Sequence, residues 1–254
     1  MNARPLISMR GVKKAFDGQP VLRGVDLDVF EGQTFVLLGG SGSGKTVLLK
    51  HLEGLLRPDE GSVVVDGHEL SAGDPAQLDA VRREVGIQFQ ANALFDSLTV
   101  ADNVAFPLRE LQHLKEPEVK VRVDELLALL GLGDAAALFP SDLSGGMKKR
   151  VAFARAMALR PRVFLADEPT AGLDPLTTET VDEAIEVAQE QLGVTAFIIT
   201  HDLPTAFRIA DQVGLLYEGR VIEVAPPEVF RASRHPAVLA FLKDWLEREA
   251  NARA

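Results

Sequence analysis

The strongest constraint on this chain is a glycine-rich segment at residues 39–46. It fits the pattern G-x-x-x-x-G-K-[ST] at every fixed position. An apolar run at 34–38 precedes it, as a buried strand would, and helical spacing follows it. Glycines let consecutive backbone N–H groups converge on phosphate oxygens, and a helix start adds unpaired N–H groups and a positive dipole end. The predicted phosphate-binding residues are Gly39, Gly40, Ser41, Gly42, Ser43, Gly44, Lys45 and Thr46.

Two side chains of this segment have separate chemical tasks. Lys45 is predicted to reach the β- and γ-phosphates of a nucleotide, and Thr46 is predicted to ligate Mg²⁺. The expected ligand is therefore Mg²⁺-ATP. The alternative is a glycine-rich turn that binds nothing, and it leaves the complete match in a strand–loop–helix context unexplained.

A second apolar run, residues 163–166, ends in the carboxylates Asp167 and Glu168. Placing carboxylates beside buried apolar side chains is costly unless they have partners. A metal ion bound beside the phosphate loop is one such partner, so we predict that Asp167 binds Mg²⁺. Glu168 is predicted to face the attacking water as a general base. An ordinary strand end with solvated acids is the alternative, but together with residues 39–46 the pair favours hydrolysis over binding alone.

The composition disfavours several classes of protein. The chain has 254 residues, no cysteine and a net charge of −10, so disulfides are impossible and general nucleic-acid binding is disfavoured. The N-terminal residues lack the apolar core of a signal peptide. No apolar run approaches the roughly 18–20 residues of a membrane-spanning helix. We expect a cytoplasmic protein that meets a membrane only through a partner.

The order of the predicted elements indicates an α/β core interrupted by a helical insert. Residues 1–90 and 161–225 are assigned to one nucleotide-binding core that begins with short strands. Residues 91–160 are predicted to be mostly helical. Residues 226–254 form a helical extension, and its apolar spacing leaves open whether it packs on its own domain, on a second copy or on an accessory subunit.

A second candidate anion site lies just before a helix predicted at 147–159. Ser144, Gly145 and Gly146 are small residues at a helix N-terminus, and Ser144 adds a hydroxyl donor. This site has neither a lysine nor a metal-binding threonine. Because it is incomplete, we predict that it completes a nucleotide site on another copy of the chain.

Taken in order, these motifs resemble those of the ATPase subunit of an ABC transporter, and the similarity covers residues 6–225. Residues 143–147 match the signature Leu-Ser-Gly-Gly-Gln, with Met147 in the place of the glutamine. The remaining matches are Gln90 with the Q-loop glutamine, Ala171, Gly172, Leu173 and Asp174 with the D-loop, His201 with the switch histidine, and Phe16 with the aromatic that stacks on adenine.

The resemblance implies an α/β fold with a P-loop NTPase (RecA-like) core, an N-terminal antiparallel β-subdomain and an inserted α-helical subdomain. It also implies a head-to-tail homodimer. Two ATP molecules would lie between residues 39–46 of one copy and residues 144–146 of the other. ATP would close this dimer, and hydrolysis would release it.

Single residues also receive roles from the resemblance. His201 would sense the γ-phosphate, and Asp174 would support communication between the two sites. Gln90 would link Mg²⁺ to the helical insert, which touches the membrane subunit. The implied catalytic residues are Lys45, Glu168 and His201, and the implied metal ligands are Thr46, Gln90 and Asp167.

The transported substrate is indicated by one segment. Residues 89–100 and 102–110, together with Met147, are similar to the Mla/Mce branch of the family. These ATPases serve transporters that move phospholipids or related lipids between envelope membranes. The resemblance implies an integral membrane permease, with an accessory soluble subunit and an MCE-type lipid-binding subunit as further candidate partners. The chain would lie on the cytoplasmic side of the inner membrane.

Four apolar side chains of this segment have two open interpretations. They either form a groove for the coupling helix of the permease or pack the core of the helical insert. The four residues are Ala93, Leu94, Phe95 and Leu98.

Three other functions remain open on the sequence. An importer ATPase for a polar solute such as an amino acid would have the same catalytic residues. A non-transport ABC protein that works on DNA or ribosomes usually has two nucleotide domains in one chain or a long coiled-coil insertion, and this chain shows neither pattern. A small-molecule kinase would leave residues 143–147 and His201 unexplained.

Overall fold

A six-stranded sheet and a smaller four-stranded sheet, with helices packed around them, make up the protein. The computed structural model describes residues 4–252, without the side chains of residue 244 and residues 246–252. Residues 1–3 and 253–254 of the predicted terminal segments lie outside the described residues. The strands are β1 (Pro5–Phe16), β2 (Gln19–Phe30), β3 (Thr34–Leu38), β4 (Glu60–Val65), β5 (His68–Glu69), β6 (Val85–Gln88), β7 (Val163–Asp167), β8 (Thr195–Ile199), β9 (Gln212–Tyr217) and β10 (Arg220–Ala225). The helices are α1 (Lys45–Leu52), α2 (Pro75–Glu84), α3 (Val100–Glu110), α4 (Glu116–Leu129), α5 (Gly145–Met157), α6 (Pro175–Leu192), α7 (Leu203–Ile209), α8 (Pro227–Arg231) and α9 (Pro236–Ala252).

The larger sheet determines where the functional groups lie. Its strand order is β10-β9-β3-β8-β7-β6, and every neighbouring pair is parallel except β9 with β10. The side chains of β3 and β8 are buried throughout, as expected for central strands that are covered on both faces. Because parallel strands end at the same edge, the segments that follow β3, β6, β7 and β8 meet there.

The smaller sheet, in the order β2-β1-β4-β5, is the predicted antiparallel unit. The sequence predicts strands at 6–10 and 21–29, and both extend further in the structure. They meet at a hairpin whose turn residues Asp17 and Gly18 have φ of 50° and 77°. The first predicted strand ended too early because charged side chains interrupt its apolar pattern after residue 10. One of them, Lys14, forms an ion pair with Asp59.

Helices α3, α4 and α5 lie between β6 and β7 in the chain and form the predicted helical insert. The spacing predicts helices at 118–130 and 147–159, and α4 and α5 correspond to them. The second helix begins earlier, at Gly145, because Ser144 caps it. The α/β class with an antiparallel β-subdomain and a helical insert is confirmed, while the exact domain bounds stay a prediction. None of the described helices is both long and apolar enough to span a bilayer.

The C-terminal extension packs on its own chain. Val238 and Leu242 of α9 are fully buried in the same core as Val36 of the central strand. The ring of Trp245 lies 5.0 Å from the ring of Phe207 of α7, measured between centroids. The extension therefore packs on its own domain, which is one of the three arrangements that the sequence left open.

One carboxylate is buried where two helices pack together. Asp182 of α6 is 1% exposed, and Thr205 Oγ1 of α7 lies 3.1 Å from its Oδ2. Its Oδ1 has no hydrogen-bond partner among the described residues. Burial raises the pKa of Asp182 to about 7, while the Thr205 hydroxyl and the charge of Arg208 work in the opposite direction.

Asp182→Asn should change how stability depends on pH. The folded-state pKa of Asp182 is about 7, and its unfolded value is about 3.9. Between these values the folded state binds more protons than the unfolded state, so the free energy of unfolding falls as pH rises. Asn cannot ionise, so the fall from about pH 5 to about pH 8 should be smaller in the variant, by about 2 kcal/mol. Urea unfolding at both pH values measures this, and equal falls in the two proteins would contradict it.

Candidate active site

The predicted phosphate-binding segment lies between β3 and α1, at the edge where the parallel strands end. Gly44 precedes α1 with φ of 105° and provides no side-chain cap. The N–H groups of the first helical turn therefore stay available to an anion. Gly39 has no space for a side chain, because a Cβ atom there would lie 2.7 Å from the carbonyl oxygen of Leu216. The shape of the loop thus requires glycine at both positions.

The Lys45 side chain lies along this loop. Its Nζ donates to the carbonyl oxygens of Gly39 (2.7 Å) and Gly40 (3.2 Å). Burial lowers the pKa of Lys45, and the negative charges of Glu168 and Asp167 oppose this shift. An ammonium group therefore lies beside a helix N-terminus, and together they form an environment suited to phosphate.

Asp167 ends β7 directly beside the loop. Thr46 Oγ1 donates to Asp167 Oδ2 over 3.3 Å, so the structure brings these two predicted magnesium ligands together. Burial, and then the charge of Glu168, raise the pKa of Asp167. A bound cation would offset both effects, because it stabilises the ionised carboxylate.

These groups fit Mg²⁺. Among the described side chains, no cluster of three or more His, Cys, Asp or Glu could hold a metal ion. Mg²⁺ is commonly held by one or two protein oxygens together with phosphate oxygens and water. The Thr46 hydroxyl and the Asp167 carboxylate are such a set, and Gln90 lines the same cavity.

Glu168 and His201 form a direct pair. His201 Nδ1 lies 2.9 Å from Glu168 Oε1, and Oε2 accepts from Thr200 Oγ1 (3.1 Å) and His201 N (3.3 Å). Because a carboxylate only accepts, Nδ1 carries the hydrogen of this bond. The side chain of Glu168 is 12% exposed and that of His201 is 70% exposed. The carboxylate is therefore fixed, and the imidazole is open to the cavity.

Most of the predicted site residues line one cavity of about 950 Å³. Pro204 of α7 and the aromatic residues Phe241 and Trp245 of α9 also line it, and the sequence did not indicate them as site residues. The predicted residues that line it are Gly39, Gly40, Ser41, Gly42, Lys45, Thr46, Gln90, Asp167, Glu168 and His201.

Other predicted site residues do not line this cavity. Ser43 and Gly44 belong to the loop but are not among the residues that line the cavity. Phe16, predicted to stack on adenine, is 42% exposed. Asp174 caps α6, and its carboxylate accepts from Thr177 N (3.1 Å) and Thr177 Oγ1 (2.5 Å). Within one chain, Asp174 therefore has a structural partner of its own.

Residues 144–146 also lie outside the cavity, at the start of α5. Ser144 Oγ accepts from Met147 N over 3.3 Å, which leaves its hydroxyl hydrogen available to an anion. Gly146 packs so closely on α6 that a Cβ atom there would collide with Thr177. Met147 is half-buried against the core. The two candidate anion sites are thus separate within one chain.

A second concave surface lies between the helical insert and the elements α2 and β6, and we call it the aromatic groove. Its cavity is about 520 Å³, and the rings of Phe95 and Phe106 are 4.7 Å apart between centroids. Of the four apolar residues with two interpretations, Ala93 and Phe95 line the groove, whereas Leu94 packs against the core. Leu98 is half-buried outside the groove. The groove-lining apolar side chains include Phe89, Ala93, Phe95, Phe106 and Leu111.

Sequence reasoning missed Lys149 and Thr200. Lys149 is 4% exposed on α5, and its Nζ donates to the carbonyl oxygens of Gln90 (2.7 Å) and Glu168 (3.2 Å). A signal for Lys149 was present, because it stands at helical spacing before the apolar residue Phe153 and therefore on the buried face of the helix.

The chain is similar to known transport ATPases. A family model described as "ABC transporter" matches residues 22–171. The chain is 41% identical over 236 residues to "Probable ribonucleotide transport ATP-binding protein mkl" of Mycobacterium leprae, which covers 93% of this chain and 68% of the relative. It is 44% identical over 226 residues to "Methionine import ATP-binding protein MetN" of Escherichia coli, which covers 89% of this chain and 66% of the relative. The chain thus spans about two thirds of the length of these relatives.

Solved structures with the same architecture are also ATP-binding cassettes. The cassette MJ0796, described as a dimer in a post-hydrolysis state bound to ADP and Pi, has a TM-score of 0.78 and 31% identity. That match covers 87% of this chain and 98% of MJ0796. The protein cbiO1 of Clostridium perfringens, described as part of the ABC transporter complex cbiONQ, has a TM-score of 0.85 and 30% identity over 98% of both chains.

Lys45→Ala should abolish tight ATP binding, because it removes the ammonium group that is predicted to contact the phosphate oxygens. We expect the Kd for Mg²⁺-ATP to rise by roughly 10- to 100-fold or more. Isothermal titration calorimetry measures this. Lys50→Ala, at an exposed position on the same helix, is the matched control and should keep the parent affinity. A Lys45→Ala variant that binds as tightly as the parent would contradict the assignment.

Proposed function

This chain belongs to the ABC transporter family and is an ATPase of that family, and on that premise we propose that it powers the transport of phospholipids or related lipids between envelope membranes. It acts as the ATP-hydrolysing subunit of a complex on the cytoplasmic side of the inner membrane. The observation that supports the hydrolytic role is that the phosphate loop, Asp167, Glu168 and His201 all line one cavity.

The phosphate loop and the residues beside it bind the phosphates and the metal ion. The loop N–H groups and Lys45 bind the β- and γ-phosphates. Thr46 and Asp167 hold Mg²⁺, with Gln90 beside them, and the bound ion neutralises charge on the phosphates. The raised pKa of Asp167 supports this role, since the buried carboxylate gains from a nearby cation.

Glu168 takes a proton from the attacking water. Thr200 and His201 fix its carboxylate, so that a remaining lone pair points in a constant direction. His201 donates to Glu168 from Nδ1 and, in the imidazolium form with a hydrogen on both ring nitrogens, donates to the γ-phosphate from Nε2. Both residues therefore act on the same phosphate, one through the water and the other directly.

A second copy of the chain completes the nucleotide site. Residues 144–146 lie at a helix N-terminus outside the cavity, so we place those of the partner copy on the open side of ATP. The γ-phosphate contacts both copies only in the closed dimer, and this differential affinity drives closure. Asp174 at the start of α6 supports communication between the copies, and Phe16 stacks on adenine. The description of MJ0796 as a dimer is in keeping with this arrangement.

The aromatic groove receives the membrane permease. Phe89, Phe95 and Phe106 are 41%, 43% and 38% exposed, although they are large apolar side chains. A contiguous exposed apolar surface with polar residues at its rim is typical of a protein interaction site. The exposed charged residues Arg82 and Glu110 are among the residues that line the groove. A short amphipathic helix of the permease, with charges flanking an apolar face, fits these features.

The lipid substrate is supported by the similarity of residues 89–110 and Met147 to the Mla/Mce branch. An accessory soluble subunit and an MCE-type lipid-binding subunit are further partners on this proposal, and nucleic acid is not a partner at a net charge of −10. Import of a polar solute is the second candidate. The names of the two relatives, which refer to ribonucleotide transport and methionine import, favour it.

Glu168→Gln should keep ATP binding and slow turnover by roughly 100- to 10,000-fold, since an amide cannot accept the proton of the water. The uncleaved ATP should hold the dimer closed. Phosphate release measures turnover, and size-exclusion chromatography with ATP measures the dimer. Glu183→Gln, an exposed position on α6, is the control. Parent-level turnover in Glu168→Gln would remove Glu168 from this role.

Phospholipid should stimulate ATP hydrolysis by the intact complex, purified with its membrane subunits and reconstituted. We expect an increase of about fivefold or more, as is usual for coupled sites, and no increase with methionine or a ribonucleotide. The complex that carries Glu168→Gln gives the background rate. Stimulation by a polar solute bound to a partner protein, without any lipid effect, would replace the lipid proposal by its alternative.

A further inference from the structure

Lys149 is a buried cation whose observed partners are backbone carbonyl groups. Its Nζ donates to the carbonyl oxygens of Gln90 (2.7 Å) and Glu168 (3.2 Å). Gln90 follows β6 and Glu168 follows β7, so one ammonium group joins the ends of two neighbouring strands. Burial lowers the pKa of Lys149, and the charges of Glu168 and Asp167 oppose this shift. The two hydrogen bonds help to offset the cost of burying the ammonium group.

The contact between α5 and the sheet is reciprocal. Gln88 of β6 is fully buried, and its Nε2 donates to the carbonyl oxygen of Lys149 over 3.2 Å. The strand therefore holds the backbone of the helix, while the helix side chain holds the strand ends. Because hydrogen bonds are directional and apolar contacts are not, these opposed bonds fix the position of α5 along the strand.

The backbone of Glu168 depends on such support. Its φ of 51° lies in the left-handed region, which residues other than glycine adopt only when surrounding contacts enforce it. Its N–H donates to the carbonyl oxygen of Ile199 over 2.8 Å, and its own carbonyl accepts from Lys149. The backbone is thus held by β8 on one side and by α5 on the other.

We propose that Lys149 is a positioning residue, which sets the direction of the Glu168 carboxylate by holding the carbonyl groups of Gln90 and Glu168. The proposal rests on the proposed function, in which Glu168 activates the attacking water. Without the ammonium group the Glu168 backbone relaxes, and the carboxylate loses its alignment with Thr200 and His201. Nucleotide binding is largely retained, because the hydrogen bonds that Lys149 Nζ makes within the described residues go to Gln90 and Glu168 and not to the phosphate loop, whose ammonium and N–H groups bind the phosphates.

The same helix also holds the loop that leads to the aromatic groove. Arg155 donates from Nη1 to the carbonyl oxygen of Ala93 (2.6 Å) and from Nη2 to that of Asn92 (2.9 Å). Its guanidinium carbon lies 5.9 Å from the ring centroid of Phe95. Helix α5 thus contacts both the groove and the strand end that carries Glu168.

Lys149→Met in the purified full chain tests the proposal through steady-state ATP hydrolysis. We expect kcat to fall by about 10- to 100-fold, with the KM for ATP within about threefold of the parent value. Lys149→Gln keeps a hydrogen-bond donor and should recover most of kcat. The neighbouring Lys148→Met, at a half-exposed position, is the matched control. If the methionine variant does not fold, Lys149→Ala, which leaves room for a water molecule, carries the same expectation.

A double-mutant cycle separates positioning from general destabilisation. In single-turnover hydrolysis, Lys149→Met should add no further loss in a Glu168→Gln background, because both changes remove the same function. Four results would overturn the proposal: parent-level kcat in Lys149→Met, an equal loss in Lys148→Met, no recovery in Lys149→Gln, or a fully additive loss in the double variant.

The single variants also distinguish a failure of the positioning role of Lys149 from a failure of the catalytic role of Glu168. If Glu168→Gln hydrolyses ATP at the parent rate, the catalytic assignment of Glu168 fails. If Glu168→Gln is inactive while Lys149→Met turns over like the parent, only the positioning role fails. Lipid stimulation enters neither comparison, so the identity of the transported substrate does not affect the outcome.

Discussion

The parallel pairing of β3, β8 and β7 is the constraint on which the site depends. Leu37 pairs with Ile199, and Ile199 pairs in turn with Asp167. This register places the ends of the three strands at one level, so that the phosphate loop, the acidic pair and the histidine begin at the same edge. The stacked rings of Phe35 and Phe197, 5.5 Å apart, help to hold the register. A slip of one residue would turn every side chain of a strand to the other face.

The same constraint explains why so much of the site could be predicted. Lys45, Asp167, Glu168 and His201 each follow an apolar run, and parallel strands bring such positions together without further information. The central strands were predicted from their continuous apolar runs, and α4 was predicted from the helical spacing of its apolar residues. The catalytic roles of the four site residues stay predictions, which the Lys45 and Glu168 variants test.

Features that arise from distant packing could not be predicted in this way. The left-handed residues Asn92 and Ala93, with φ of 63° and 49°, turn the chain sharply, so that Ala93 and Phe95 face the groove while Leu94 faces the core. Asparagine adopts the left-handed region more readily than most residues, but nothing in the local pattern indicates it for Ala93. The contact of Lys149 with two strand ends likewise depends on where the helical insert docks.

The wall formed by α9 has a practical consequence. Trp245 is the single tryptophan of the chain, it lines the nucleotide cavity, and the guanidinium carbon of Arg231 lies 4.9 Å from its ring centroid. Indole emission responds to nearby charge and to solvent. The chain therefore contains an intrinsic fluorophore at one defined position, and its signal can follow the arrival and departure of nucleotide without a label.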